Sequence, residues 1–424
     1  MIKGDFSMNE KAPINWTNML IFSLTPLLAL TLVPVYGYLY GYDSFEWIIF
    51  TLLFVYSGIS ITAGYHRLWS HKTYKAHPIL RVFLAFGGAL ALQNDILNWA
   101  SDHRRHHRHV DDNKKDPYSA GRGFWFSHIG WILRNYESAS DDFSNVQDLK
   151  RDPIVMWQHR NYLSLVLLAN VALPAFLGFI NGDIIAGLLL GGLLRLVINH
   201  HTTYLINSLA HMWGKQTYSN QVSARDNPFL ALITFGEGYH NYHHTFQWDY
   251  RNGVKWWHFD PTKWIINLFS RVGLTYGLKR CSLEQIEKTK LDFQYHLAIQ
   301  KCEQLNISNN WKEKLDESTL KANRETFFDH IKKLNLRNSI FVDNSANEEI
   351  ASEYIRFLKN NIGVVTCNKI ACAGTLSRYK ELKNLIPVRS GESDLLKAMK
   401  QIAKTDKGPE SQTPSAGCSI KWKQ

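Results

Sequence analysis

The chain has 424 residues, 45% of them hydrophobic, with 14 Trp, 19 Tyr and 22 Phe, a load that excludes a disordered chain and leaves room for more than one domain. A formal charge of +11 suits nucleic acid, anionic lipid or an anionic substrate, and the apolar runs decide against nucleic acid. All five cysteines (Cys281, Cys302, Cys367, Cys372, Cys418) fall in the last third without framework spacing, which argues against a disulfide scaffold and for a reducing compartment.

In chain order, runs at about 16–40, 44–64, 161–181 and 183–204 are long and apolar enough to cross a bilayer. They form two hairpins. The connectors "GYD" and "NGD" carry no Lys or Arg, whereas segment 65–160 between the hairpins carries fourteen. The positive-inside rule therefore places both termini and the middle segment on the cytoplasmic side. The first run is too long for a cleavable signal peptide and lacks a small-residue cleavage pattern. The shorter run 78–93 is expected to lie at the interface, because a fifth crossing would put the histidine groups on opposite sides. The expected fold class is mainly α and integral to the membrane: four transmembrane helices in two hairpins, a cytoplasmic helical cap, and a small α/β-like C-terminal segment.

Sixteen of the eighteen histidines fall between His66 and His258, grouped at the cytoplasmic ends of the runs. The second run leads into "GYHRLWSH" with His66 and His71. "WASDHRRHHRHVDD" then supplies His103, His106, His107 and His109, "NSLAHMWG" supplies His211, and "GEGYHNYHH" supplies His240, His243 and His244. In the second and last groups the spacing i, i+3, i+4 places three rings on one helix face, and converging neutral imidazoles make a metal site. A metal-ligating histidine needs a partner for its other ring N–H, and Asp102, Asp111, Glu237 and Asp249 are near enough in sequence to serve. His200 and His201 lack partners at i+3 or i+4 and read as packing or outer groups. His109 and His258 are expected to be exposed, and His128 to have a structural or substrate-contact role.

The stretches "TAGYHRLWSH", "QNDILNWASDHRRHH", "GFWFSHIGWIL", "NSLAHMWG" and "GEGYHNYHHTFQWDYR" resemble the membrane fatty acyl desaturases of the acyl-CoA delta-9 type, over about residues 15–290. The resemblance implies two irons held in the cytoplasmic cap by nine histidines, which here match His66, His71, His103, His106, His107, His211, His240, His243 and His244. It also implies an asparagine, Asn207, that reaches one iron through water. For the substrate it points to Asn94, Asp95 and Trp99 as pocket lining.

Arg104, Arg105, Arg108, Lys114, Lys115, Arg122 and Arg134 are candidates for a polyanionic head group or for anionic lipid, with Arg104, Arg122 and Arg134 the ones chosen as substrate contacts. One departure is Ser101, where the vertebrate members have a basic residue, so a lipid-linked acyl chain stays open as substrate. Phe50, Phe54 and Ser57 share a face below His66 and are candidates for the floor of an acyl tunnel.

Beyond about 290 the pattern changes to a charged helical linker (291–335), an α/β-like fragment (336–390) and a flexible tail (391–424). The run "FVDNSAN…VVTCNK" resembles a piece of homoserine dehydrogenase, with Lys369 as its lysine, but no glycine-rich phosphate loop precedes it. "TPSAGCSIKWK" resembles the tail of thioredoxin-like peroxiredoxins. No haem domain is visible, so electrons must come from a separate protein, a ferredoxin or a cytochrome with its NAD(P)H reductase.

The expected activity is an O2-dependent desaturase that places a cis double bond in an acyl-CoA. It would sit as a multi-pass protein in the cytoplasmic membrane of a prokaryote or the endoplasmic reticulum of a eukaryote. A lipid or alkane hydroxylase of the same metal class is the alternative enzyme. A histidine-rich transporter is the non-enzymatic one, but it would place ligands inside the spans rather than at their ends.

Overall fold

The computed structural model describes residues 12–139, 142–304, 328–329, 340–343, 348–360, 362–366 and 381. The chain forms two compact units, residues 1–305 and 306–424. Among the described residues of the first, four helices are long and apolar enough to cross a bilayer: α1 (Trp16–Leu39), α2 (Ser44–Ser70), and two that follow the middle segment, Tyr162–Asn181 and Ile184–Met212. It is a mainly helical membrane protein.

Local chemistry sets the starts of these helices. Asn15 accepts from the backbone of Asn18 at the head of α1. Asp43 and Glu46 form a reciprocal capping box at the head of α2. Between the hairpins, α3 (Pro78–Ala91) opens on His77 with Pro78 in its first turn. The next helix, α4 (Ile96–Arg108), is capped by Asp95, which accepts from Leu97 and Asn98. Then come α5 (Pro153–Arg160), α6 (Tyr162–Asn181) and α7 (Ile184–Met212). The two hairpin turns are tied together: Asn181 donates to Asp43 at 2.9 Å and the Tyr36 hydroxyl donates to Asp183 at 2.7 Å.

Two spans outrun their apolar stretches. α2 and α7 were expected to end near 64 and 204 but continue to Ser70 and Met212. Their polar ends are sheathed by the cap instead of lipid, with Tyr65, Arg67 and Ser208 almost fully buried. α3 and α4 meet at a bend of 80°. α3 buries Leu80, Leu84, Ala85 and Ala89 while Ile79, Val82 and Phe83 stay exposed, an amphipathic split. The fit to α2 is close: a Cβ on Gly88 would stand 2.1 Å from the Tyr65 ring.

The cap is completed by α8 (Pro228–Ile233), α9 (His240–Thr245) and α10 (Pro261–Arg271), with a two-stranded antiparallel pair, β1 (Lys75–Ala76) and β2 (Thr275–Tyr276). At its centre Arg67, 1% exposed, donates to Glu237, to both oxygens of Asp260 and to the carbonyl of Tyr250. α11 (Leu283–Gln304) is one continuous helix, so the boundary expected at 290 falls inside it.

In the second unit, β3 (Ile340–Asp343) pairs in parallel with β4 (Gly363–Thr366). Among the described residues between them are two helices, α12 (Glu348–Ser352) and α13 (Tyr354–Lys359). Tyr354, Phe357 and Val364 are buried together with Phe328. Lys369 and the tail from 391 lie outside the described residues.

Candidate metal centre

The nine histidines expected as ligands come together in two groups, His66, His71, His103, His107 and His243 in one and His106, His211, His240 and His244 in the other. Within each group one nitrogen per ring lies within 4.8 Å of the others. The sequence spacing had placed each triplet on one face and suggested three rings for one metal. The structure divides them: the i and i+4 rings of α4, His103 and His107, enter the first group and the i+3 ring, His106, the second. α9 does the converse, sending His240 and His244 to the second group and His243 to the first.

His66 and His71 are five apart, a spacing that an α-helix would splay. Residues 60–70 of α2 are instead π-helical, and the His71 amide donates to the His66 carbonyl at 3.1 Å, the i→i+5 bond of that helix. The wider turn brings both rings to one side.

The geometry of each group suits a cation at its centre. Nε2 of His243 lies 3.0 Å from Nε2 of both His66 and His107, and His71 and His103 approach to 2.8 Å. In the second group His240 lies 3.1 Å from both His211 and His244, and His106 lies 3.4 Å from His244. Nitrogens about 2.1 Å from a shared ion stand about 3.0 Å apart at right angles and about 3.4 Å apart at tetrahedral angles. A nitrogen such as His243 Nε2, facing two others, cannot satisfy both as a single donor or acceptor.

Four of the outward Nδ1 atoms are held. His66 Nδ1 meets Glu237 at 2.9 Å, and Glu237 is itself bound by Arg67 at 2.9 Å and Asn252 at 2.7 Å. His106 Nδ1 meets both oxygens of Asp116 at 2.9 and 3.0 Å. His211 Nδ1 meets the Ser223 hydroxyl at 2.7 Å, which donates to Asp111 at 2.6 Å, and His103 Nδ1 lies 3.3 Å from the Tyr118 hydroxyl. Protonated Nδ1 leaves the Nε2 lone pair pointing inward.

Burial, and after it the neighbouring imidazoles, pushes the pKa values of His71, His103, His107, His240, His243 and His244 well below the ordinary histidine range, so the rings are neutral. Burial works against the Glu237 carboxylate, but His66 and Arg67 outweigh it and hold its pKa at about 2.

Of the expected outer carboxylates, Glu237 and Asp111 reach the histidines as described. Asp249 does not: its oxygens take the Tyr242 hydroxyl, the Arg251 guanidinium and the Cys281 amide, far along the last cap segment. Asp102 pairs with Arg105 at 3.1 Å and lines the cavity described below. Asp116 was missed. It sits in a loop ten residues after His106, beyond the reach of helical spacing, and only the return of that loop onto α4 brings it under the ring.

A cavity of about 610 Å³ opens beside the two groups, lined by His66, His103, His106 and His240. Asn207, one turn before His211 on α7, also lines it, as do Asn94, Trp99 and Arg134. Trp99 stacks on His103 with ring centroids 4.8 Å apart. Gln93 donates to Thr203 across the cavity at 2.8 Å. Ser101 lines the wall and donates to Asn145 at 2.8 Å.

Three expected substrate contacts are engaged elsewhere. Asp95 is buried as the cap of α4 and is bound by Leu97, Asn98 and the Asn98 amide. Arg104 donates to the carbonyls of Trp69, Ser70 and Asn145 and to both oxygens of Asp148, binding α4 to the end of α2. The Arg122 guanidinium lies over the Phe126 ring, 3.5 Å from its centroid. Phe50 and Phe54 stack on each other and pack toward α7 and Phe235, outside the cavity lining. Neither His109 nor His258 is fully exposed: His109 ends α4, and the His258 ring stacks on Tyr239 at 4.7 Å.

His200, His201 and His128 stand outside both groups. His200 donates to the carbonyls of Ala91 and Leu92, and His128 lies 3.0 Å from both Ser208 and His201.

Residues 45–278 match the family model described as fatty acid desaturase, and residues 281–389 match that of the homoserine dehydrogenase NAD binding domain. The chain is 44% identical over 278 residues to a probable acyl-CoA desaturase of Schizosaccharomyces pombe, covering 65% of this chain and 57% of that one. It is 40% identical over 281 residues to acyl-CoA desaturase 1 of Saccharomyces cerevisiae, covering 65% and 54%. To stearoyl-CoA desaturase 5 of Bos taurus it is 39% identical over 289 residues, covering 66% and 84%. The chain thus spans little more than half the length of the two yeast relatives. With the family match reaching from the start of α2 to just beyond β2, and so enclosing all nine histidines, the chain belongs to the fatty acid desaturase family.

Proposed function

We propose that the protein is an O2-dependent acyl-CoA desaturase of the delta-9 type that introduces a cis double bond into a saturated chain. The observation that carries this reading is that rings from both imidazole groups, His66 and His103 of one and His106 and His240 of the other, line a cavity that also holds Trp99, Ile61 and Phe22. An apolar chain in that cavity lies against both groups. The reaction balances as one –CH2–CH2– unit, O2, two electrons and two protons giving –CH=CH– and two waters.

The residues that would hold the metals are His66, His71, His103, His107 and His243 for one, and His106, His211, His240 and His244, with Asn207 through water, for the other. Imidazole donors suit iron, zinc, copper and nickel alike, and family membership selects iron. Two bound irons would supply the O2-derived oxidant that an unactivated methylene requires. The chain's own groups do the rest. Glu237, Asp116 and the Ser223–Asp111 pair orient the rings, Trp99 excludes water beside His103, and Asn94 and Arg134 stand on the cavity wall as polar contacts for a thioester head group.

We infer that electrons reach the site from a donor outside residues 1–305. No glycine occurs between Gly277 and Gly363, so the dehydrogenase-like unit lacks the phosphate loop that a nicotinamide cofactor needs. The orientation follows the lysines and arginines, with the histidine groups and both termini on the cytoplasmic side.

The test is expression of the full chain in a desaturase-deficient host, followed by gas chromatography of its lipids. A cis-monounsaturated product supports the reading; a hydroxylated product with no alkene would replace it with the hydroxylase.

A further inference from the structure

α3 ends inside the protein, where water cannot serve its last carbonyls; the Leu92 amide donates to Ala89 at 3.2 Å, and the carbonyls of Leu90 and Ala91 depend on side chains. Side chains from α6 and α7 close this end. Arg195, on α7 and 0% exposed, donates to the Leu90 carbonyl at 2.6 Å and to the Asn170 amide oxygen at 2.7 Å. Asn170, on α6, donates to the Ala89 carbonyl at 3.1 Å. His200 donates to the carbonyls of Ala91 at 3.0 Å and Leu92 at 3.1 Å. A cation at a helix C-terminus is favourable, and Arg195 supplies one here, while His200 adds a ring N–H donor.

Two further features converge there. Asn170 lies in a π-helical turn of α6, and a second π-helical stretch of α7 ends immediately before Arg195. Gly192 lets the two helices approach: a Cβ there would stand 3.2 Å from the Asn170 carbonyl. The corner that follows α3 is strained, with Leu92 at φ 49° and Asn94 at φ 73°, both left-handed and neither glycine. Such residues persist where their surroundings hold them.

Leu92, Gln93 and Asn94 all line the cavity beside the histidine groups. We propose that Arg195, Asn170 and His200 are positioning residues that hold the Leu92–Asn94 corner and so fix which pair of methylenes in a bound acyl chain faces the metal centre. The proposal rests on the desaturase reading. A corner that shifts by about 1.5 Å, one carbon–carbon bond, changes the register of the chain by one methylene.

The test uses the full-length protein with His200→Ala, its conservative partner His200→Gln, and Asn170→Ala on the neighbouring helix. Mass spectrometry reads the double-bond position. Cross-linking of metal-free protein by a stearoyl-CoA with a mid-chain diazirine reads which cavity residues the chain touches. The parent is expected to give one position. His200→Ala and Asn170→Ala should add a neighbouring position at about one tenth of product, as a tenfold preference would leave, and move the cross-links. His200→Gln, which keeps a donor, restores the single position, and iron content stays at the parental level throughout.

If His200→Ala does not accumulate, Asn170→Ala decides alone. A parental double-bond position and parental cross-links in the alanine variants, whatever their yield, overturn the proposal. A parent that makes no alkene overturns the desaturase reading instead, and the cross-links still decide whether the corner sets the register.

Discussion

Replacing Asp116 by Asn tests how far the second histidine group depends on its outer support. The Asp116 carboxylate is 0% exposed and receives His106 Nδ1 on both oxygens, the Tyr118 amide at 3.2 Å and the Asp111 amide at 3.1 Å. An asparagine keeps the shape but offers one acceptor oxygen where the carboxylate has two. Turned toward Tyr118 it leaves the Asp111 amide facing an NH2 group; turned the other way it strands Tyr118. One buried donor left unpaired costs about 1–3 kcal/mol. The His106 ring also loses a charged partner, and loss of such a partner lowers metal affinity about 10–100-fold.

The predicted variant therefore inserts in the membrane and keeps iron in the first group, but loses it from the second when dialysed against a chelator that leaves the parent loaded. Iron per chain, measured by atomic emission, should fall from two toward one, and product formation should fall with it. Two irons retained at parental affinity would refute the reasoning, because His106 would then be oriented by something other than Asp116.

His106→Ala and His243→Ala each remove one ring, one from each group, and should abolish product with reduced iron while membrane insertion persists; a variant with full turnover would remove its histidine from the ligand set. Arg104→Gln should lower stability by about 1–3 kcal/mol through its lost bonds yet leave the KM for acyl-CoA within about twofold, since Arg104 ties α4 to α2 and does not line the cavity. A tenfold rise in KM at unchanged stability would return it to the head-group site. Phe50→Ala and Phe54→Ala should leave the chain-length profile unchanged, because both rings pack outside the cavity lining; longer products from either variant would extend the cavity down α2. Truncation after residue 305 should leave the double-bond position unchanged, and a shifted position would tie the second unit to the site.

The sequence by itself determined the parts of this protein that depend on composition and short-range order. Four apolar runs of bilayer length mark the spans because no other solvent accepts them. Six of the nine histidines are conspicuous because imidazoles at i, i+3 and i+4 of a short helix have few uses other than metal.

The tertiary structure decided how those rings are divided. His106 and His243 each leave their helix neighbours for the opposite group, which depends on where α4 and α9 cross and not on spacing along either. His66 and His71 meet only because α2 turns π-helical beyond Ile59, a change of hydrogen-bond register that no hydrophobic period signals. Asp116 reaches His106 by a loop that folds back over ten residues, whereas Asp249, only five residues from His244, is consumed by Arg251. Arg104 on the cap helix α4 and Arg195 on the span α7 carry the same charge. One ties two helices at the surface of the cap and the other closes a helix end in the interior, because the carbonyls available to each come from segments distant in the chain.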